Sequence, residues 1–213
     1  MKDLCLMVYF LLLNMKLFQN QPIHFDLPDA EVSYFPEFFA HQKADELLLQ
    51  LKNEIPWQQD EITLFGKTHP QPRLTALFGN DGQFYSYSGI VMQPHKWNPL
   101  LTSIKEAVES VAQTNFTTVL LNYYRDGQDS NGWHADNEKE LGQNPVIASV
   151  SFGAERFFHL RNNAKKEITQ KILLEHGSLL LMKGTTQHFW KHQIPKTAKP
   201  IGARINLTFR VIR

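Results

Sequence analysis

His134 and Asp136 stand one residue apart in "NGWHADNEKEL", Asn131 to Leu141. In an extended chain, residues two apart project to the same face. An imidazole nitrogen and a carboxylate oxygen can therefore converge on one ion. A second imidazole would complete the three-ligand facial set of non-haem Fe(II) oxygenases, which leaves three positions open for a co-substrate and dioxygen. A His-x-Asp pair alone recurs by chance, and two polar residues in a loop is the ordinary explanation of one. The spacing leaves four histidines open as third ligand: His188 and His192 in "TQHFWKHQIP", and His159 and His176 on other strand-like runs.

The tail "ARINLTFR" adds Arg204 and Arg210. Their separation is even, so on one strand both guanidinium groups face the same way. Facing outward, they are a solvated strand edge. Facing inward, they require an anionic partner, and an arginine clamps a carboxylate with two parallel hydrogen bonds.

The chain of 213 residues is long enough for one sizeable core, and its composition is globular: 42% hydrophobic, 20% charged, 12% aromatic. A net charge of +1 argues neither for nor against nucleic acid, since a local basic face is invisible in a total. The single cysteine, Cys5, excludes an internal disulfide framework and a cysteine-rich zinc site, and suits a reducing compartment. "LCLMVYFLLL", Leu4 to Leu13, is too short to span a membrane. It has the length of a signal-peptide core but lacks a small-x-small cleavage pattern. Met15 is a plausible true start, which would make the preceding residues an artefact.

Two amphipathic helices are expected. "HQKADELLLQLKN", His41 to Asn53, places Ala44, Leu47, Leu48 and Leu51 on one face and ends before Pro56. "NPLLTSIKEAVESVAQ", Asn98 to Gln113, offers Asn98 as N-cap and Pro99 at the first helical position. Gln19 to Phe39 reads as irregular or short strand. The rest is strand-like: "TTVLLNYY", "VIASVSFG", "RFFHL", "KILLEHGSLLLM", "HFWKHQI" and "RINLTFRVI", about seven short strands. Helices followed by such strands predict an α+β chain with a jelly roll backed by N-terminal helices.

Together "LNYYRDG", "GWHADNE", "IASVSFGAERFF", "LLEHGSLLLM", "HFWKHQIP" and above all "RINLTFR" resemble, in order, the AlkB family of Fe(II)- and 2-oxoglutarate-dependent nucleic-acid dealkylases. "LFGKTHPQPRLTALFGNDGQFYSYSG" is similar to the nucleotide-recognition region of its duplex-repair branch. The resemblance implies a double-stranded β-helix with a β-hairpin lid. It divides the chain into an N-terminal extension (1–30) and one dioxygenase domain (31–213), with the lid at about 57–95 and the jelly-roll core at about 116–213.

The resemblance makes His134, Asp136 and His192 the Fe(II) ligands. It places Arg204 near Asp136 and the iron-bound end of 2-oxoglutarate, and Arg210 on the distal carboxylate. Asn122, Tyr124, Asn206 and Thr208 complete the co-substrate site. The implied reaction oxidises an N-methyl group on a damaged base with dioxygen and 2-oxoglutarate, releasing succinate, CO₂ and formaldehyde. The target is a flipped base of N1-methyladenine or N3-methylcytosine type in alkylated, double-stranded DNA. Leu64, Phe65 and Gly66 would form a wedge filling the vacated stack. Arg73, Tyr85, Tyr87, Trp133 and Glu138 would line the substrate pocket. A buried hairpin Phe is the competing reading of Phe65, and solvated lysines that of Lys67, Lys165 and Lys166. Trp133 stands where the resemblance leads us to expect a smaller or acidic residue.

The expected molecule is a monomer without a membrane partner, cytoplasmic or nuclear. Three alternatives compete: a related oxygenase acting on RNA, single strands or protein; a non-catalytic binding module; and a zinc hydrolase, which leaves the arginine pair unexplained.

Overall fold

The computed structural model describes residues 21–64, 67–80, 85–87 and 90–213, with the side chains of 63, 64, 67, 85–87 and 90–92 outside the description. The expected wedge residues Phe65 and Gly66, and residues 1–14, lie outside it. Eleven of the described strands build two facing sheets, and two helices cover the larger one. The larger sheet contains β1 (Ile23–Phe25), β2 (Glu31–Phe35), β5 (Leu74–Gly79), β8 (Thr118–Tyr124), β10 (Ile147–Gly153), β13 (Ser178–Lys183) and β15 (Arg204–Arg210). Their order is β1-β2-β13-β10-β15-β8-β5. The smaller sheet runs β12 (Thr169–Leu174), β11 (Arg156–Asn162), β14 (Trp190–Ile194), β9 (Asn131–His134). Neighbouring strands in both are antiparallel.

The two expected helices are present. Helix α1 spans His41–Glu54 and buries Ala44, Leu47 and Leu51. Helix α2 spans Pro99–Ala112. Asn98 caps it, its side-chain oxygen accepting from the Leu101 N–H at 2.8 Å, while Pro99 occupies a position whose N–H needs no partner. Both helices pack on the larger sheet through one core that includes Val119, Leu121, Val150, Phe152, Ile205, Leu207 and Phe209.

The alternate residues of the same strands face the other way. Leu120 and Tyr124 of β8, and Ile147 of β10, join Leu180, Phe158, Leu160, Trp190 and Ile194 in a second core between the sheets. Period-two alternation thus sends Ile205, Leu207 and Phe209 to the helices, and Arg204, Asn206, Thr208 and Arg210 to the interior. All seven residues of β15 are buried. The solvated-edge reading of the two arginines is excluded.

Several sequence expectations need correction. "KILLEHGSLLLM" is not one strand: Glu175 to Gly177 turn between β12 and β13, with Gly177 at φ +77°. "HFWKHQI" begins as a short helix α3 (Thr186–Phe189), so His188 is not on the strand that carries His192. Gln19 to Phe39 contributes β1 and β2 to the larger sheet, with Val32 and Tyr34 in the inter-sheet core. Within 57–95, the hairpins β3 (Glu61–Leu64) with β4 (Lys67–Pro70) and β6 (Tyr85–Tyr87) with β7 (Ile90–Met92) stand as separate two-stranded sheets. Between them β5 pairs with β8 and so belongs to the core sheet, with Ala76, Leu77 and Phe78 buried.

Candidate metal and co-substrate site

His134 is the last residue of β9, and Asp136 follows just past the strand end. On the facing strand β14, His192 is the register partner of His134. The two imidazole rings lie 4.2 Å apart edge to face, and His192 Nε2 is 3.7 Å from Asp136 Oδ2. One ligand atom from each of the three lies within 4.8 Å of the others. Cross-strand pairing therefore selects His192 among the four candidates. His188 hydrogen-bonds Asn144 at the surface, His159 lies on the outer side of β11, and His176 belongs to a separate group with His41 and Asp45.

The electrostatics suit a cation. Burial would raise the Asp136 carboxyl, but Arg210 and the two imidazoles outweigh it and hold the group at about 2. Arg210 Nη2 donates to Asp136 Oδ1 at 2.7 Å. Burial, then the neighbouring His134, pushes His192 down to about 3. Burial also lowers His134, against the pull of Asp136. Both rings are therefore neutral at physiological pH, with lone pairs available to a metal. His134 Nδ1 lies 2.8 Å from Gly132 O, so Nδ1 carries the proton and Nε2 is left as the donor atom. Phe158 stacks on His192 with ring centroids 4.9 Å apart and limits its rotation.

The same cavity is lined by Asn122, Tyr124, Arg204, Asn206, Thr208 and Arg210, every co-substrate residue expected from the sequence. The expected placement of Arg204 beside Asp136 needs correction. Arg210, rather than Arg204, holds Asp136. Arg204 lies six residues away at the other end of β15, opposite Tyr124 in register, with its guanidinium 5.1 Å from that ring. A strand rises about 3.3 Å per residue, so one strand cannot bring both to one carboxylate. Arg204 Nη2 donates to Ser151 Oγ at 2.9 Å, while its buried Nε and Nη1 meet no hydrogen-bond acceptor among the described residues. Burial lowers its pKa to about 10, still cationic at neutral pH. A buried cation with unused donors in a polar cavity fits an incoming carboxylate. A His₂-carboxylate face fits Fe(II) with open positions.

Asn206 Nδ2 donates to Ser149 Oγ at 2.8 Å, and Thr208 Oγ1 donates to Asn206 Oδ1 at 3.1 Å. Arg73, expected in the substrate pocket, is buried behind the site. Its Nε donates to Asn122 Oδ1 at 2.7 Å and its Nη1 to Ser130 O at 3.3 Å. It orients Asn122, because its long arm reaches inward from the start of β5. Trp133 is half-buried under the guanidinium of Arg161, 4.3 Å from the ring centroid. Glu138 is half-buried at the start of a 3₁₀ turn, Lys139–Leu141. Tyr85 and Tyr87 lie on β6, and Leu64 closes β3. Their side chains lie outside the described residues.

Sequence reasoning missed Ser149 and Ser151, which hold Asn206 and Arg204, and Gln187, whose Oε1 accepts the Asp136 N–H at 2.9 Å. The serines were recoverable: "IASVSFG" alternates, and its hydroxyls share a face opposite "RINLTFR". Gln187 carries no such signal, being fixed by a turn with no period.

Two facing sheets that close over a His–Asp–His set and a donor-rich arginine define a jelly-roll non-haem iron oxygenase. Comparison agrees. A model of the 2OG-Fe(II) oxygenase superfamily matches residues 31–210. Alpha-ketoglutarate-dependent dioxygenase alkB homolog 3 of Mus musculus is 41% identical over 192 residues, 86% of this chain and 66% of that protein. DNA oxidative demethylase ALKBH2 of Homo sapiens is 38% identical over 184 residues, 82% of this chain and 70% of that protein. The solved structure described as OsALKBH1 matches with TM-score 0.64 at 17% identity, over 90% of this chain and 100% of that one, a likeness of fold. The chain belongs to the 2OG-Fe(II) oxygenase superfamily and, within it, to the AlkB family. It spans 64–66% of the length of the alkB homolog 3 relatives. Among the described residues, no helix is long and apolar enough to cross a membrane.

Proposed function

We propose that this chain is an Fe(II)- and 2-oxoglutarate-dependent dioxygenase that removes methyl groups from the nitrogens of alkylated nucleobases in DNA. The observation that carries it is one cavity shared by the His134–Asp136–His192 face and the unused donors of Arg204. The metal reading alone fits other chemistries. A buried arginine with donors to spare beside the metal face suits an anionic co-substrate.

In this reading His134, Asp136 and His192 hold the metal. Bound Fe(II), with 2-oxoglutarate and dioxygen, supplies the oxidising power that hydroxylates the methyl carbon, after which formaldehyde leaves the base. Arg210 keeps Asp136 anionic and fixed. Arg204 receives the distal carboxylate of 2-oxoglutarate, with Ser151 fixing its angle. Asn122, set by Arg73, and Tyr124 hold the remaining oxygens. The apolar shell of Leu120, Phe158, Leu174 and Ile194 limits water around the reacting centre.

The DNA assignment draws on the relative named DNA oxidative demethylase, which aligns with most of this chain. The reaction needs the base outside the stack, which costs a few kcal/mol and least for bases that cannot pair. Phe65, which follows β3 in the sequence, is the wedge of this proposal, with Leu64 and Gly66 as its neighbours. Tyr85, Tyr87, Trp133 and Glu138 would surround the extruded base. The enzyme would act as a monomer on duplex DNA in the cytoplasm or nucleus.

The test is mass spectrometry of matched single- and double-stranded oligonucleotides carrying one N1-methyladenine, incubated with Fe(II), ascorbate and 2-oxoglutarate. Loss of the methyl group from the duplex, weakened by Phe65→Ala, is expected. Demethylation of the single strand alone would remove the duplex and wedge assignments and keep the chemistry.

A further inference from the structure

The carboxylate ligand is held at both ends. Arg210 grips its oxygen, and Gln187 grips its backbone: the Asp136 N–H donates to Gln187 Oε1 at 2.9 Å. Asp136 has left strand β9, so its N–H has no ladder partner, and a buried N–H without an acceptor is costly. Gln187 is 1% exposed. Its amide orientation is unambiguous, because a backbone N–H must face the amide oxygen. The amide nitrogen points the other way, to Met182 Sδ at 3.5 Å.

The segment that carries Gln187 is pinned on several sides. Thr186 Oγ1 donates to Lys183 O at 2.6 Å and accepts the Glu31 N–H at 2.9 Å. Thr185 Oγ1 donates to Asp29 O at 3.0 Å, and Asn163 Nδ2 donates to His188 O at 2.8 Å. Two distant stretches of chain, at 29–31 and at Asn163, thus anchor this helix of four residues. That helix leads directly into β14, which supplies His192. Gln187 therefore ties the loop that bears Asp136 to the element that bears the distal histidine.

We infer that Gln187 is a positioning residue for the metal: its Oε1 contact sets where the Asp136 carboxylate stands relative to His192. This rests on the metal-site reading above. Gln187 does not line the cavity and touches no reacting group, so its effect passes through Asp136. Removing an outer partner of a metal ligand characteristically weakens the metal by roughly 10–100-fold.

The test is anaerobic Co(II) titration of the full chain, followed by the visible ligand-field bands, with thermal unfolding of the metal-free protein in parallel. Gln187→Leu keeps volume and loses the acceptor. Gln187→Glu keeps an acceptor oxygen. Gln187→Asn keeps the amide but is too short to reach. Leu and Asn should each weaken Co(II) by roughly 10–100-fold and alter the bands, while Glu stays within about tenfold of wild type. Should Leu fail to fold, Asn carries the comparison. Wild-type affinity and bands in both Leu and Asn would overturn the inference. Equal weakening in all three variants would assign the effect to packing and overturn it too. A wild-type chain that binds no Co(II) would sink the metal-site reading and this inference with it.

Discussion

Asp136, Arg204 and Arg210 divide the work of charge in one cavity. Arg210 is committed to Asp136, whereas two Arg204 nitrogens meet no acceptor among the described residues. That difference predicts different losses. Arg204→Gln should raise the KM for 2-oxoglutarate by roughly 10–100-fold, the worth of one charge-assisted contact, with a smaller change in metal affinity. Arg210→Gln should instead weaken the metal, because it removes the leading attraction that keeps the Asp136 carboxyl near 2. Initial-rate kinetics against 2-oxoglutarate, beside a metal titration, separate the two. The residue types at this site were legible in the sequence, and so was the shared face of 204, 206, 208 and 210. The division of labour between the arginines was not. Period two tells which face a residue takes, but not what stands opposite each end of the strand.

The elements that hold these residues follow from local patterning where a period exists. Asn98, Pro99 and the apolar face of "NPLLTSIKEAVESVAQ" specify α2, and the structure forms it with the Asn98 cap made. Asn98→Ala should cost about 1 kcal/mol, read from urea denaturation midpoints, with turnover per folded molecule unchanged. β15 and β8 were readable as alternating strands, and their mutual register brings Asn206 opposite Asn122. The turns were less readable. Glu175 to Gly177 interrupt an unbroken apolar run, and α3 occupies a stretch whose aromatic content reads as strand. In both, contacts distant in sequence override local preference: Phe39 N–H bonds to Gly177 O, and Thr186 to Glu31. β5 sits inside the expected lid for the same reason, since only its pairing with β8 reveals it as core.

At the scale of the whole molecule, the closed sandwich buries ionisable groups and so links folding to pH. The folded-state pKa of His192 is about 3, below its ordinary value of 6.5, and that of His134 is also lowered. Between those values the unfolded chain binds more protons than the folded one. Stability of the metal-free protein is therefore present above pH ~6.5 and is lost as pH falls below it, by up to about 1.4 kcal/mol per pH unit for each histidine. Asp136, lowered to about 2 from 3.8, adds loss in the same direction between those values. Urea denaturation of the metal-free chain at pH 7.5 and 5.5 should show the decline. His192→Gln, neutral throughout, should flatten it. Bound Fe(II) should steepen it, because protons and metal compete for the same imidazoles.

The central claim is that this cavity couples 2-oxoglutarate oxidation to removal of a base methyl group. The most direct measurement quantifies succinate and formaldehyde together, for wild type and Asp136→Ala, with a methylated oligonucleotide and its unmethylated twin. Wild type should form the two products in about equal amounts with the methylated substrate alone. Asp136→Ala should form neither. Succinate without formaldehyde would contradict the nucleobase assignment. Formaldehyde from Asp136→Ala at the wild-type rate would contradict the site itself.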